Sequence, residues 1–182
     1  MRRPTVISSI CLAACSAPRE SARHEDHMYT SSLAIDLSVT GDGTPALAVR
    51  CAVKNVSGRE LHVFDSARMP YLLEEGGTLV VLHGVPPPPE DRDLNIIEIP
   101  TTRALGAGET LAFEVPLVPL RLRGHYGDEP PGPARHGEAT VVCRVAHGAT
   151  PIDAGARART TIQALLAWQK LESSRPVTVR FP

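Results

Sequence analysis

PALAVRCAVK, residues 45–54, places Leu47, Val49, Cys51 and Val53 at every second position, with Arg50 and Lys54 on the other face. Successive side chains of an extended chain point to opposite sides, so this reads as a strand with one face in a core and one in water. The same period runs outward along the chain. SSLAIDLSV (31–39) alternates Leu33, Ile35, Leu37 and Val39, and GDG (41–43) is the turn between the two. NVSG (55–58) reads as a hairpin turn into ELHVFD, and GAGE (106–109) as the turn before ETLAFEV (109–115). TLVVLH (78–83), LNIIEI (94–99), EATVVCRVA (138–146) and PVTVRF (176–181) read as further strands, with PLRLR (119–123) a short candidate. Many short strands separated by turn signals predict an all-β fold, a sandwich of two antiparallel sheets.

One segment has a different period. TTIQALLAWQKLES (160–173) puts Ile162, Leu165, Leu166 and Gln169 at helical spacing, and Thr160 with Gln163 fits a capping box. This predicts one short C-terminal helix packing Leu165, Leu166 and Trp168 on a sheet; a strand through ALLAW is the competing reading. VPPPPEDRD (85–93) and GDEPPGPARHG (127–137) read as long loops with polyproline character, either recognition loops or stiff connections.

The chain has 182 residues, 42% hydrophobic and 21% charged, with a formal net charge of -1. That is enough chain for one core-bearing domain, and the near-zero charge offers no attraction for nucleic acid. Aromatic residues are 4%, which also argues against platforms for stacking bases. No apolar run reaches the roughly 18 residues of a spanning helix.

The N-terminus carries its own signal. Arg2 and Arg3 precede an apolar or small run, TVISSICLAA (5–14), and Leu12-Ala13-Ala14-Cys15 follows. These first sixteen residues resemble the signal and lipobox of bacterial lipoproteins. The resemblance implies a diacylglycerol on the Cys15 sulfur, cleavage just before it, and a chain tethered to the cell envelope. With Ser16 in the next position it implies delivery to the outer membrane, facing the periplasm. Two acyl chains bury about 0.8 kcal/mol per methylene, which makes a lasting anchor. Residues 1–14 are then a signal peptide, 15–30 a polar linker and 31–182 the folded domain.

On this resemblance cleavage would remove Cys11 and lipidation would use Cys15, leaving Cys51 and Cys143 in a compartment that permits disulfides. Each lies on the apolar face of its own strand, so both should point into the core. A bridge between them would resemble the inter-sheet disulfide of immunoglobulin domains; two buried thiols are the alternative. The likeness is architectural, an Ig-like β-sandwich over about residues 31–155. Val141 stands where antibody-type domains carry the corner Tyr, and no Trp lies near Val63.

Residues suited to chemistry do not converge in the sequence. His24-Glu25-Asp26-His27 is a solvated charge run in the linker rather than a helical metal motif. Cys143-x-x-x-His147 lacks the following Met of a copper loop. No nucleophile elbow occurs, Ser57 and Ser66 sit in turns, and His62 alternates onto the solvent face of a strand. Asp65 with Glu74 and Glu75 forms an acidic group beside Gly76-Gly77, the pattern of a solvated hairpin tip. Asn55-Val56-Ser57 matches a glycosylation sequon, which would carry no weight in the bacterial lipoprotein that the N-terminus resembles. Arg121, Arg123 and His125 alternate with Leu120 and Leu122, giving either a charged edge that blocks sheet association or a docking strip for an acidic partner.

These readings point to a non-catalytic binding or structural module without metal, cofactor or nucleic-acid partner. Its working surface would be the loops at 84–93 and 124–137, with Pro86, Pro87, Pro88, Pro89, Arg121 and Arg123 meeting an envelope protein. The alternative is an accessory subunit or inhibitor that presents the Pro-rich loop to a periplasmic enzyme.

Overall fold

The structure is a computed structural model and describes residues 31–89, 99–128, 130, 134–152, 155 and 160–182. Cys15, the His24–His27 run and most of LNIIEI lie outside them. Among the described residues, twelve strands and the helix Ile162–Trp168 form three layers. The first sheet joins β1 (Leu33–Thr40), β2 (Ala48–Asn55) and β7 (Thr110–Pro116) in the order β1-β2-β7. The second contains β3 (Leu61–Asp65), β4 (Tyr71–Glu75), β5 (Thr78–His83), β6 (Thr101–Leu105), the short β8 (Arg123–Gly124) and β9 (Gly127–Asp128), β10 (Gly137–Gly148), β11 (Lys170–Ser173) and β12 (Val177–Phe181). The all-β sandwich with one short helix is therefore the observed architecture.

The alternations seen in the sequence are the inner faces. Val49, Cys51 and Val53 from the first sheet meet Leu79, Val81, Val141, Cys143 and Val145 from the second in one core, with each of these side chains fully buried. β10 organises the second sheet. It pairs with β12 through Gly137–Val141 and with β11 through Arg144–His147 on one edge. On the other edge it pairs with β5 through Thr140–Val145, and with β3 at His147 and Gly148. The β5–β10 ladder is parallel, a departure from the wholly antiparallel sandwich expected from the sequence; more than fifty residues separate the two strands, ample for a crossover.

The strand after NVSG also departs from expectation. β2 and β3 lie in different sheets, so residues 55–60 form an arch over the end of the sandwich rather than a hairpin. Asn55 explains it. The side chain is fully buried, its Nδ2 donates to the carbonyls of Arg59 (2.7 Å) and Leu105 (2.8 Å), and its Oδ1 accepts from Ser57 N–H (3.0 Å) and Oγ (2.7 Å). All its polar capacity is used within the fold.

β10 also has a second apolar face. Val142 and Ala146 join Phe64, Tyr71, Val80, Leu82 and Val85 in a smaller core, which α1 (Ile162–Trp168) covers with Ile162 and Leu165. Thr161, not Thr160, caps the helix, accepting from Ala164 N–H at 3.2 Å. The helix stops at Trp168 because Gln169 is engaged elsewhere and Lys170–Ser173 zips onto β10. Trp168 packs on Phe64 at 4.9 Å between ring centroids and donates its indole N–H to the Thr150 carbonyl at 2.8 Å. It crosses so close to Gly148 that a Cβ there would stand 2.2 Å from its ring.

Candidate functional site

The described ends of the two proline-rich loops meet. Tyr126 donates its hydroxyl to the Pro86 carbonyl at 2.9 Å. Burial pushes the Tyr126 hydroxyl above the ordinary tyrosine range, so it stays a donor. Gln169 holds the residue before, its side-chain amide exchanging two hydrogen bonds with the Val85 backbone. The chain thus enters the proline run from two fixed points, and Pro87 and Pro89 are exposed beyond them.

Tyr126 lies in the β8–β9 hairpin, whose Arg123 and Asp128 help to wall a groove of about 650 Å³. Its floor and walls are largely apolar: Pro70, Leu72, Val115, Pro116, Val118, Pro119 and Leu122. Arg121, Arg123, Glu114 and Asp128 rim it. Arg123 donates to the Pro70 carbonyl at 3.0 Å, and Asp128 lies 3.4 Å from Arg68. Arg121 is exposed and has no partner among the described residues. The two arginines named in the sequence therefore share one groove, next to the proline loop. Arg121 precedes β8, however, and is not in a strand. His125 does not extend the basic strip. It turns inward, is 2% exposed, and its Nδ1 lies 2.9 Å from the Tyr71 hydroxyl, because the tight β8–β9 turn reverses the chain at that point.

The remaining candidates are scattered. Glu74 pairs with Arg135 at 2.9 Å and Glu75 with Arg144 at 2.7 Å, so the acidic group is neutralised as separate surface pairs. His62 is half-buried, 3.6 Å from Glu60. Among the described residues no group of three or more His, Cys, Asp or Glu is arranged to hold a metal. Cys51 and Cys143 are free thiols here, both fully buried between the sheets. The Cys143 thiol is pushed far up by its hydrogen bond with Cys51, by burial, and by the charge Cys51 would carry.

Two sites carry signals that the sequence reading missed. His147 is 2% exposed and its Nε2 lies 2.9 Å from Glu172. Glu172 also accepts from the backbone N–H groups of Ser32 (2.9 Å) and Leu33 (3.0 Å) and from the Ser31 hydroxyl. Burial works to raise the Glu172 carboxyl, but those donors outweigh it and hold it below the usual range. This carboxylate pins Ser31–Leu33 at the start of β1. His83 is stacked on Phe113 at 5.2 Å, 7% exposed, with no partner for Nδ1 among the described residues. Burial lowers its pKa from 6.5 to about 4, so it is neutral at physiological pH. Its place at the apolar-face position of TLVVLH was the available sequence signal.

Comparison with protein-family models, with curated proteins and with solved structures gave no match. The functional reading therefore rests on the groove and loop themselves.

Proposed function

We propose that this chain is a lipid-anchored, non-catalytic binding module of the cell envelope. Cys15 carries the lipid, residues 15–30 act as the tether, and the groove and proline loop together meet an envelope protein. The carrying observation is that Tyr126 links Pro86 to the hairpin whose Arg123 and Asp128 rim the groove. A rigid proline segment beside an apolar, cationic-edged cleft presents shape and charge at low entropic cost. The outer membrane, facing the periplasm, is the compartment that the lipobox resemblance favours.

Export would also bring the core cysteines into an oxidising environment. Cys51 and Cys143 would then give up two protons and two electrons to a disulfide-bearing exchange partner and close a bridge across the sandwich. A loop of that length stabilises by roughly 4–5 kcal/mol in the chain-entropy estimate.

Intact mass of the protein from its native membrane fraction, with and without reductant, tests the anchor and the bridge. The expected chain starts at Cys15 with added acyl mass and gains two protons on reduction. An unmodified chain starting at Met1 in the soluble fraction overturns the tether. A photo-crosslinker at Pro87 then tests the surface. The expected result is one envelope adduct, weakened when Arg121 and Arg123 become Ala. The absence of any adduct removes the binding role. Replacing Pro87–Pro89 with Gly and Ser, while keeping Pro86 for Tyr126, distinguishes the inhibitor reading: loss of an enzyme's inhibition without loss of the fold would favour it.

A further inference from the structure

Among the described residues β7 lies at the edge of its sheet, and Glu114, Val115 and Pro116 of this strand line the groove. The register shows which backbone groups are free. Leu117 N–H donates to the Leu47 carbonyl at 2.9 Å and Asn55 N–H to the Glu109 carbonyl at 3.0 Å. Both are directly opposed pairs in the β2–β7 register, so the bonded positions between them are Leu111, Phe113 and Val115. The N–H and C=O groups of Ala112 and Glu114 consequently point outward, and among the described residues they have no backbone partner. Pro116, the next outward position, has no N–H and ends the run.

Charge defines the occupant. Glu114 and Pro116, on the open edge, share the groove with Arg121 and Arg123. Arg121 has no partner among the described residues and Arg123 uses one nitrogen on the Pro70 carbonyl, while the Asp128 carboxylate is taken by Arg68. Among the described residues, the groove is thus lined by two guanidinium groups and one carboxylate without a partner, Glu114. The apolar walls would exclude water from a charge-assisted bond made there.

We infer that the outer edge of β7 receives an extended, acidic segment of a partner protein, which adds as a short strand through Ala112 and Glu114 and sets a carboxylate against Arg121. This is strand addition, with main-chain bonds giving affinity and the groove giving side-chain selection. It rests on the binding-module reading and specifies how that module grips.

The test uses the full chain in mild detergent and a short synthetic peptide alternating valine and threonine around glutamate. A second peptide has its alternate amides N-methylated, and a third carries lysine for glutamate. Binding is followed by fluorescence anisotropy and by amide hydrogen exchange at Ala112 and Glu114. The expected result is slowed exchange at those two amides with the first peptide alone, and affinity weakened about tenfold or more in Arg121→Glu, the loss of one charge-assisted contact. Ala112→Pro, which removes an outward N–H and leaves the β2 ladder intact, should weaken it similarly. Equal binding of the N-methylated peptide, still sensitive to Arg121→Glu, overturns strand addition and leaves the groove as a binding site. Binding by none of the peptides, or binding indifferent to Arg121, overturns both. Ala112 and Glu114 already protected in the chain alone, and released on dilution, would put a second copy on this edge and overturn the partner segment.

Discussion

Gln169 and Val85 are joined twice. Gln169 Nε2 donates to the Val85 carbonyl at 2.7 Å, and Val85 N–H donates to Gln169 Oε1 at 3.0 Å. A side-chain amide thus substitutes for a neighbouring strand just where β5 has ended and the proline run begins. It also accounts for the helix ending one residue earlier.

Gln169→Leu should leave both Val85 groups unpaired in a buried position, at a cost of about 1–3 kcal/mol. Urea denaturation would read the loss. Hydrogen exchange at Val85 should rise sharply, with exchange in β1 and β2 unchanged.

His83 should make the domain acid-sensitive. Its folded pKa, about 4, lies below the ordinary histidine value of 6.5, so the unfolded chain takes up a proton first as pH falls. Stability from this residue is complete above pH 6.5, declines between 6.5 and 4, and is lost below that. The span is worth about 3 kcal/mol at 1.36 kcal/mol per unit. Arg103, which opposes protonation, and Asp65, which favours it, are the charged groups acting on the ring. Chemical denaturation at several pH values should show this slope, and His83→Leu should flatten it; an equal slope in both proteins would refute the assignment.

Glu172 acts in a lower window. Its folded pKa is depressed, so its contribution is present above the unfolded carboxylate pKa and is lost as pH falls below it. Glu172→Gln keeps the shape and removes the charge. It should destabilise by about 1–3 kcal/mol at neutral pH. The residues it pins, Ser31 to Leu33, should become the first site of limited proteolysis.

Gly148→Ala should be among the most damaging single substitutions, because the added methyl meets the Trp168 ring at 2.2 Å. Overpacking of this kind costs about 1–3 kcal/mol or more. As the only Trp in the chain, Trp168 reports directly: its emission should shift red as the ring leaves Phe64.

The strands were legible wherever one face is buried and the other wet. β1, β2, β7, β12 and the first two thirds of β10 follow a period of two that local chemistry imposes. β5 is buried on both faces and was legible instead as a short apolar run. β4, β6 and β11 were missed for a physical reason. TTRAL has only Leu105 buried, KLES no buried side chain, and YLLEE two adjacent buried residues, so none of them alternates clearly. The helix was legible from its spacing, but its cap was displaced by one residue because Thr160 and Thr161 are chemically equivalent in sequence.

Sequence alone thus determined the alternating faces, the inward aim of Cys51 and Cys143, the arginines at 121 and 123, and the proline runs. Those are local properties of side chains one or two positions apart. Tertiary structure decided that β2 and β3 part into different sheets, that β5 runs parallel to β10, and that Arg121, Arg123 and Pro86 gather around one hairpin. It also turned His125 inward and His147 toward Glu172. These pairings join residues tens of positions apart, and their energy comes from burying two sheets and a helix against each other, which no short window of sequence contains.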